Sequence, residues 1–295
     1  MRVQVPATSA NLGPGYDCLG LALSLHDELV AEVVAGDGLA VEVSGEGARE
    51  VPRDASHLVV RSMYAGFEAL GVEPPGLRVV CRNVIPHSRG LGSSASATVG
   101  GIWLARALVS GGRELLDDDA GFRLAARIEG HPDNVAPAVY GGLVISGEAA
   151  EGFFAVRAPV DERVRAVALV PPYAVPTRVA RALLPPTVPH ADAAANAGRA
   201  ALLVTALAGA PVHLLAGSRD FLHQDYREPA LGESVRLVRT LRADGLAAVV
   251  SGAGPAVLVL VAGDEAADAV LLRAPEGWSG HALAVDRDGV CSSHV

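Results

Sequence analysis

Eleven residues in the first third of the chain carry chemistry by their type and spacing. Pro86–Ser96 reads P-H-S-R-G-L-G-S-S-A-S. A β-type run, Leu77–Ile85, precedes it, and a small, apolar run, Ala97–Ser110, follows and reads as a buried helix. Glycines at a strand–helix junction let the backbone approach an anion, and the first N–H groups of the helix point at it unpaired. Ser93 and Ser94 add hydroxyl oxygens suited to phosphate or to a metal ion. A tight turn with a serine cap explains the same glycines, so other segments must decide between the two readings.

Three further groups stand out. Asn11 and Asp17 flank Gly13-Pro14-Gly15, so a loop folded back there presents both side chains to one small polar ligand; a plain turn with Asx caps is the alternative. Glu129, His131, Asp133 and Asn134 crowd together just before the uncharged stretch Val135–Ser146, as residues lining a site do, or as a solvated loop does. His131 has no second histidine at helical spacing, so it is weak evidence for a transition metal. Thr177 and Arg181 share a face near the start of a helix.

Composition narrows the chemistry. The chain has 295 residues, half of them hydrophobic, enough for one large or two ordinary domains. It contains 24 arginines and no lysine. A P-loop requires G-x-x-x-x-G-K-[ST] and a protein kinase requires its strand lysine, so neither is present. Every fixed cation must be an arginine, a metal ion or a helix N-terminus. A net charge of −9 with scattered basic residues argues against nucleic acid and anionic membrane. Met1–Pro6 alternates like a strand and has no apolar leader region. The uncharged run Leu246–Gly263 is broken by Gly252, Gly254 and Pro255, a strand–turn–strand pattern. Cys18, Cys81 and Cys291 have no metal-type spacing and suggest a reducing, cytoplasmic setting.

The elements that must position these residues follow from periodicity. Strands are expected at Met1–Pro6, Leu25–Val34 and Leu39–Val43, the last two as a hairpin or meander, then at Val167–Pro171, Ala247–Val250, Ala256–Val261 and His281–Asp286. Helices are expected at Ser56–Leu70, with a cap from Asp54–Ser56 and Gly71 just past the end, and at Asp117–Arg127, Thr177–Leu184, Ala191–Leu207, Ser218–Tyr226, Leu231–Arg242 and Glu265–Leu272. Strand–helix–strand units of these lengths predict an α+β fold.

Three segments in this order resemble the GHMP kinase superfamily: Pro6–Leu23 as its substrate loop, Pro86–Ser96 as its phosphate loop and Ser251–Pro255 as its glycine-rich turn near the C-terminus. Within it, P-A-T-S-A-N-L-G-P-G-Y-D-C-L-G-L-A-L resembles the first motif of the homoserine kinases, with Tyr16 where Phe is usual. Gly130–Gly142 (G-H-P-D-N-V-A-P-A-V-Y-G-G), T-x-x-x-R at Thr177–Arg181 and D-x-x-H…R ending at Arg227 are similar to that family too.

The resemblance implies two α+β domains, 1–154 and 155–295, the first like ribosomal protein S5 domain 2 and the second ferredoxin-like, with the site between them. It implies transfer of a phosphoryl group from ATP to the side-chain hydroxyl of L-homoserine, a step of threonine biosynthesis. ATP falls to Pro86, His87, Ser88, Arg89, Gly90, Leu91, Gly92, Ser93, Ser94, Ala95 and Ser96, and Mg²⁺ to Ser94 and Glu129. The substrate falls to Asn11, Asp17, Thr177, Arg181 and Arg227, with Arg181 and Arg227 on its carboxylate, Asp17 on its ammonium and Asn11 near its hydroxyl. Asn134 and Asp133 are the catalytic pair, and whether Asp133 is a base or Asn134 alone positions the hydroxyl stays open. Relatives are often homodimers, but no stripe here identifies an interface. Mevalonate or a sugar is the competing acceptor, and a non-catalytic binding relative is the reading from another class.

Overall fold

β1 (Arg2–Asn11) and β2 (Gly15–Val34) form an antiparallel pair joined by a tight turn through Leu12, Gly13 and Pro14. This is the first departure from the sequence reading, which placed a loop over much of Ala7–Leu23. Small residues suit a strand here because the site packs directly on it: a Cβ at Gly20 would stand 1.9 Å from the Asp133 carbonyl oxygen. The computed structural model describes Met1–Val295 throughout.

The first half continues with β3 (Leu39–Gly45), α1 (Leu58–Ala69), β4 (Gly76–Asn83), α2 (Ser93–Leu108), the single turn α3 (Gly112–Leu115), α4 (Asp118–Glu129), α5 (Val135–Tyr140), β5 (Leu143–Ala149) and β6 (Gly152–Ala158). The second half holds β7 (Val164–Val170), α6 (Thr177–Ala182), α7 (His190–Gly209), the short α8 (Leu214–Gly217), α9 (Glu228–Ala243), β8 (Ala247–Val250), β9 (Val257–Ala262), α10 (Asp264–Leu271), β10 (Ser279–Ala284) and β11 (Cys291–Ser293).

Two sheets result. In the first, the path β11-β1-β2-β4-β3 is extended by β5 against β2 and by β6 against β5. The second has the order β10-β7-β9-β8. β3 pairs with β4 in parallel, so the hairpin expected between Leu25–Val34 and Leu39–Val43 does not form. The change of sheet falls between Ala158 and Val164, past the expected division at 154/155, which would cut β6. The chain end then returns to the first sheet, where β11 pairs with Arg2–Gln4.

Both faces of β8, β9 and Ala166–Val170 of β7 are buried, which explains their apolar runs, whereas the edge strand β10 is largely exposed. Val164, Ala166, Ala168 and Val170 of β7 share a core with Leu21 and Leu23 of β2 and with Leu203 and Leu207 of α7. Val167 and Leu169, on the opposite face, pack with Leu231 and Val235 of α9. A separate core fills the space between the first sheet and α1, α2, α4 and α5, around Trp103, Phe67 and Phe122. The two sheets are thus bound through one shared core, and the turn segments between them form the walls of the site.

Ser218–Tyr226 is the clearest helix that fails to form. The Asp220 carboxylate accepts the backbone N–H groups of Leu222 (3.0 Å), His223 (3.0 Å) and Gln224 (2.7 Å). A side chain that takes these donors offers the backbone an alternative to helical bonding. Only a 3₁₀ turn, Asp225–Arg227, survives before α9.

Candidate functional site

α2 begins at Gly92, whose φ of 74° lies in the left-handed region, and its first turn has no side-chain cap and no acidic residue. Its leading N–H groups therefore open into the space above Gly90–Ser94, as an anion site requires. The loop is fixed from two sides. Leu91 O accepts from Thr8 N–H in β1, and Arg89 O accepts from Ala256 N–H, both at 3.0 Å. Ser251 Oγ stands 2.6 Å from Gly90 O and 2.8 Å from Ser9 Oγ. The glycine-rich turn Ser251–Pro255 thus braces the Gly90–Ser94 loop.

A cavity of about 130 Å³ lies at this junction, lined by Asn11, Ser88, Gly90, Gly92, Ser93, Ser94, Glu129, His131, Asp133, Asn134, Thr177, Arg181 and Arg227 among others. Residues more than two hundred positions apart in sequence, from six separate segments once Gly252 and Ala253 are included, meet there. A second cavity of about 280 Å³ shares Ser88, Ser93 and Ser94 with the first and extends between His57, Val59, Asn83 and His87.

Not every loop residue faces these spaces. Leu91, Ala95 and Ser96 are fully buried beneath the loop, and Pro86 is buried as well. Arg89, expected at the phosphates, instead donates to the carbonyls of His87 (2.7 Å), Pro171 (3.1 Å) and Pro172 (2.9 Å). It ties the loop to the end of β7.

Ser94 Oγ donates to Glu129 Oε2 at 2.9 Å, joining the start of α2 to the end of α4. Asn134 Oδ1 accepts from Thr8 Oγ1 at 2.9 Å, which turns the Asn134 amide nitrogen toward Asp133 Oδ1 at 3.5 Å. The buried Asp133 also accepts from His131 Nδ1 at 2.7 Å. Burial lowers the His131 pKa, but the hydrogen bond and charge of Asp133 outweigh it, and the net shift is upward.

Arg181 binds Asp17 through both nitrogens, Nη2 to Oδ1 at 2.8 Å and Nη1 to Oδ2 at 3.2 Å. The two residues expected on opposite charges of one ligand thus stand side by side. That spacing fits an α-amino acid, whose ammonium and carboxylate share one carbon. Asn11 is less free than expected: its amide donates to Gly252 O (2.8 Å), and its oxygen accepts the Asp17 N–H (2.9 Å). Both Asn11 and Asp17 have positive φ, a backbone state that only neighbouring contacts can hold. Asn11 therefore positions Asp17.

Arg227 is 1% exposed, and its Nε has no partner. Its Nη1 donates to Gly252 O at 3.1 Å and to His223 Nδ1 at 3.0 Å. His223 Nε2 in turn donates to Gly13 O at 2.8 Å. Burial pushes the Arg227 pKa down, outweighing the opposing charges of Tyr16, Asp17 and Asp220, and no carboxylate is hydrogen-bonded to it. A buried guanidinium with an idle donor is the feature of this site that most plainly asks for an anionic ligand.

Residues 57–142 match the family model for the GHMP kinases N terminal domain, and residues 200–280 match that for the GHMP kinases C terminal domain. The homoserine kinase of Streptomyces avermitilis is 52% identical over 289 residues, covering 98% of this chain and 94% of that protein. The chain belongs to the GHMP kinase family.

The homoserine kinase of Clavibacter michiganensis is 48% identical over 293 residues, covering 98% of this chain and 92% of that one. Among solved structures, homoserine kinase from Cytophaga hutchinsonii superposes with a TM-score of 0.85 at 26% identity, covering 99% of this chain and 96% of that chain. A mevalonate kinase structure shares the fold, with a TM-score of 0.62 at 15% identity. No helix is long and apolar enough to cross a membrane.

Sequence reasoning passed over the contacts of two residues at this site and misjudged those of a third. Thr8 and Tyr16 lie inside the quoted first motif, and their roles follow only from partners far along the chain. The Tyr16 ring lies 5.3 Å from His223 and 5.7 Å from the Arg227 guanidinium. His131, weak evidence for a metal by its spacing, is instead hydrogen-bonded to Asp133. The Thr8–Asn134 bond is separable from binding. If the Asn134 amide aims the substrate hydroxyl, Thr8→Val is expected to cut kcat about tenfold, through loss of one hydrogen bond that orients the amide, and to leave both KM values nearly unchanged. Steady-state kinetics against each substrate in turn checks the split.

Proposed function

We propose that this chain phosphorylates the side-chain hydroxyl of L-homoserine, ATP + L-homoserine → O-phospho-L-homoserine + ADP. The observation that carries the reading is the buried Arg227, with its idle Nε, beside the Asp17–Arg181 pair. Together they offer two guanidinium groups and one carboxylate to a ligand bearing one carboxylate and one ammonium. The ligand carboxylate takes Arg227 and Arg181, its ammonium takes Asp17, and Thr177 borders the same end.

ATP spans both cavities. Its phosphates lie at the shared Ser93 and Ser94 under the α2 N-terminus, and its base lies between His57, Val59 and His87. Backbone N–H groups of Gly90–Ser94 neutralise the phosphates where a lysine is lacking.

Ser94 and Glu129 suit Mg²⁺. They are two adjoining hard oxygen donors, which is what Mg²⁺ takes from protein when phosphates and waters complete its octahedron. When bound there, Mg²⁺ supplies the positive charge that phosphoryl transfer needs on the phosphate oxygens.

The Asn134 amide, held by Thr8, donates to the substrate hydroxyl and aims it at the γ-phosphate. Asp133 Oδ1 accepts from His131 and faces the Asn134 amide, so its role in this reading is to hold that amide. Catalysis then rests on alignment and on neutralised charge.

ADP release measured in parallel with L-homoserine, L-serine, L-threonine and mevalonate tests the assignment. Turnover of homoserine is expected to lead mevalonate by about 10⁴, the discrimination available to a site whose buried polar groups would be left unpaired. Equal turnover of mevalonate would overturn it. For the metal, Glu129→Gln is expected to raise the Mg²⁺ concentration for half-maximal rate at least about tenfold, the scale of one lost charged interaction. Wild-type Mg²⁺ dependence in that variant would remove Glu129 from the metal site.

A further inference from the structure

A cavity of about 730 Å³ lies against the segment that carries Arg227, on its other side. Asp220, Gln224 and Asp225 of that segment line the cavity, whereas Arg227 lines the catalytic site and His223 braces it. The cavity is larger than either cavity of the catalytic site, and neither the reading above nor any resemblance uses it.

Its walls hold three guanidinium groups without a carboxylate partner: Arg199 on α7, Arg219, and Arg242 on α9. Arg242 is half-buried and donates only to neutral oxygens, Leu215 O at 2.7 Å, Ser218 Oγ at 2.9 Å and Ala248 O at 3.2 Å. Burial and the neighbouring Arg219 both push the Arg242 pKa down. Arg219 lies over the Phe221 ring at 5.0 Å. The acids do not balance this charge. Asp225 is paired with Arg239 at 2.8 Å, and Asp220 is taken by three backbone N–H groups. In a chain of net charge −9, a positive concavity of this size needs an explanation. The remaining wall, including Leu215, Val235, Val238 and Val250, is apolar.

We propose that this cavity is a second ligand site, for a small organic anion with an apolar body, and that its occupant acts on the carboxylate clamp through the Asp220–Arg227 segment, an effect that rests on the role given to Arg227 above. Guanidinium groups recognise carboxylate or phosphate, and the apolar wall receives the body. The route to the clamp is short. Gln224 Oε1 accepts the Val250 N–H at 2.5 Å, and two residues on, Gly252 O accepts from both Arg227 and Asn11. A ligand that displaces Gln224 or Asp220 shifts the groups that hold Arg227. Coupling between two such sites typically changes affinity about 5- to 150-fold.

Anilinonaphthalene sulfonate, an anion with an apolar body, is the probe. Its fluorescence is titrated with wild type and with Arg199→Ala/Arg219→Ala in saturating ATP and homoserine, and homoserine kinetics are measured with and without it. The expected result is saturable binding to wild type that the double variant weakens at least about tenfold, with an unchanged melting temperature and basal KM. The probe is expected to raise the homoserine KM of wild type severalfold and to leave that of the variant unchanged. Isovalerate or inorganic phosphate is expected to displace it, and the more effective of the two names the anion class. Equal binding by both proteins, displacement by neither anion, or a wild-type KM that ignores bound probe would each overturn the proposal. Failure of the homoserine reading shows separately, as no homoserine-dependent ADP release before any probe is added, and the binding comparison does not depend on that assay.

Discussion

Arg227→Ala is expected to raise the KM for L-homoserine about a hundredfold while the KM for ATP stays within about twofold, because a charged hydrogen-bond partner contributes about 1.5–3 kcal/mol and this one serves a single substrate. The group is buried, and its Nη1 is fixed by Gly252 O and His223, so the ligand meets a guanidinium already aimed. Arg181 is the informative contrast. It is held by Asp17, so Arg181→Ala loses one carboxylate contact and also frees a half-exposed Asp17. A smaller rise in homoserine KM, about tenfold, is expected there. Some loss of kcat accompanies both, since the clamp also aims the hydroxyl. Steady-state kinetics with each substrate varied decides. A variant of Arg227 that weakened ATP and spared homoserine would reverse the orientation of the whole site.

Gly90→Ala is expected to cost a hundredfold or more, about the effect of misplacing reacting groups by an ångström, in kcat/KM for ATP. Gly90 has φ of 83°, where an L side chain adds about 1–2 kcal/mol of strain. Its Cβ would stand 2.1 Å from the carbonyl oxygen of Ser251, a backbone atom on the turn that braces the loop. Neither segment can give way without opening the phosphate cradle. Ser251→Ala removes the brace without the collision and is expected to cost less. Kinetics are read beside a thermal melt, so that loss of the loop is told apart from loss of the fold. Near wild-type kcat/KM for ATP in a folded Gly90→Ala protein would remove the loop from phosphate binding.

Much of this was legible in the residues, and the exceptions have physical causes. The glycines and serines of Pro86–Ser96 act through local backbone geometry, so their spacing marked a left-handed turn opening a helix, which forms at Gly92. The uncharged run Leu246–Gly263, broken by Gly252, Gly254 and Pro255, read as strand–turn–strand and forms β8 and β9. Gly15–Leu23 misled because its small residues answer to a loop more than a hundred positions away, where the Asp133 carbonyl lies against Gly20. Ser218–Tyr226 has helical composition, but one aspartate side chain takes its backbone donors. Arg89 reads as a phosphate ligand by position and is instead a tether, because the carbonyls of Pro171 and Pro172 come to it from another sheet. The pairing of Asp17 with Arg181, 164 residues apart, and the orientation of Asn134 by Thr8 are tertiary facts with no local signal.

The most direct measurement is the identity of the phosphorylated product when L-homoserine and mevalonate compete, at equal concentration, for limiting ATP. Phosphorus–proton correlation spectroscopy reports which carbon bears the new phosphate ester. An amino-acid site with its hydroxyl at Asn134 is expected to place essentially all of the phosphate on the terminal side-chain oxygen of homoserine. Phosphomevalonate as the main product, or phosphate on the homoserine carboxylate, would contradict it.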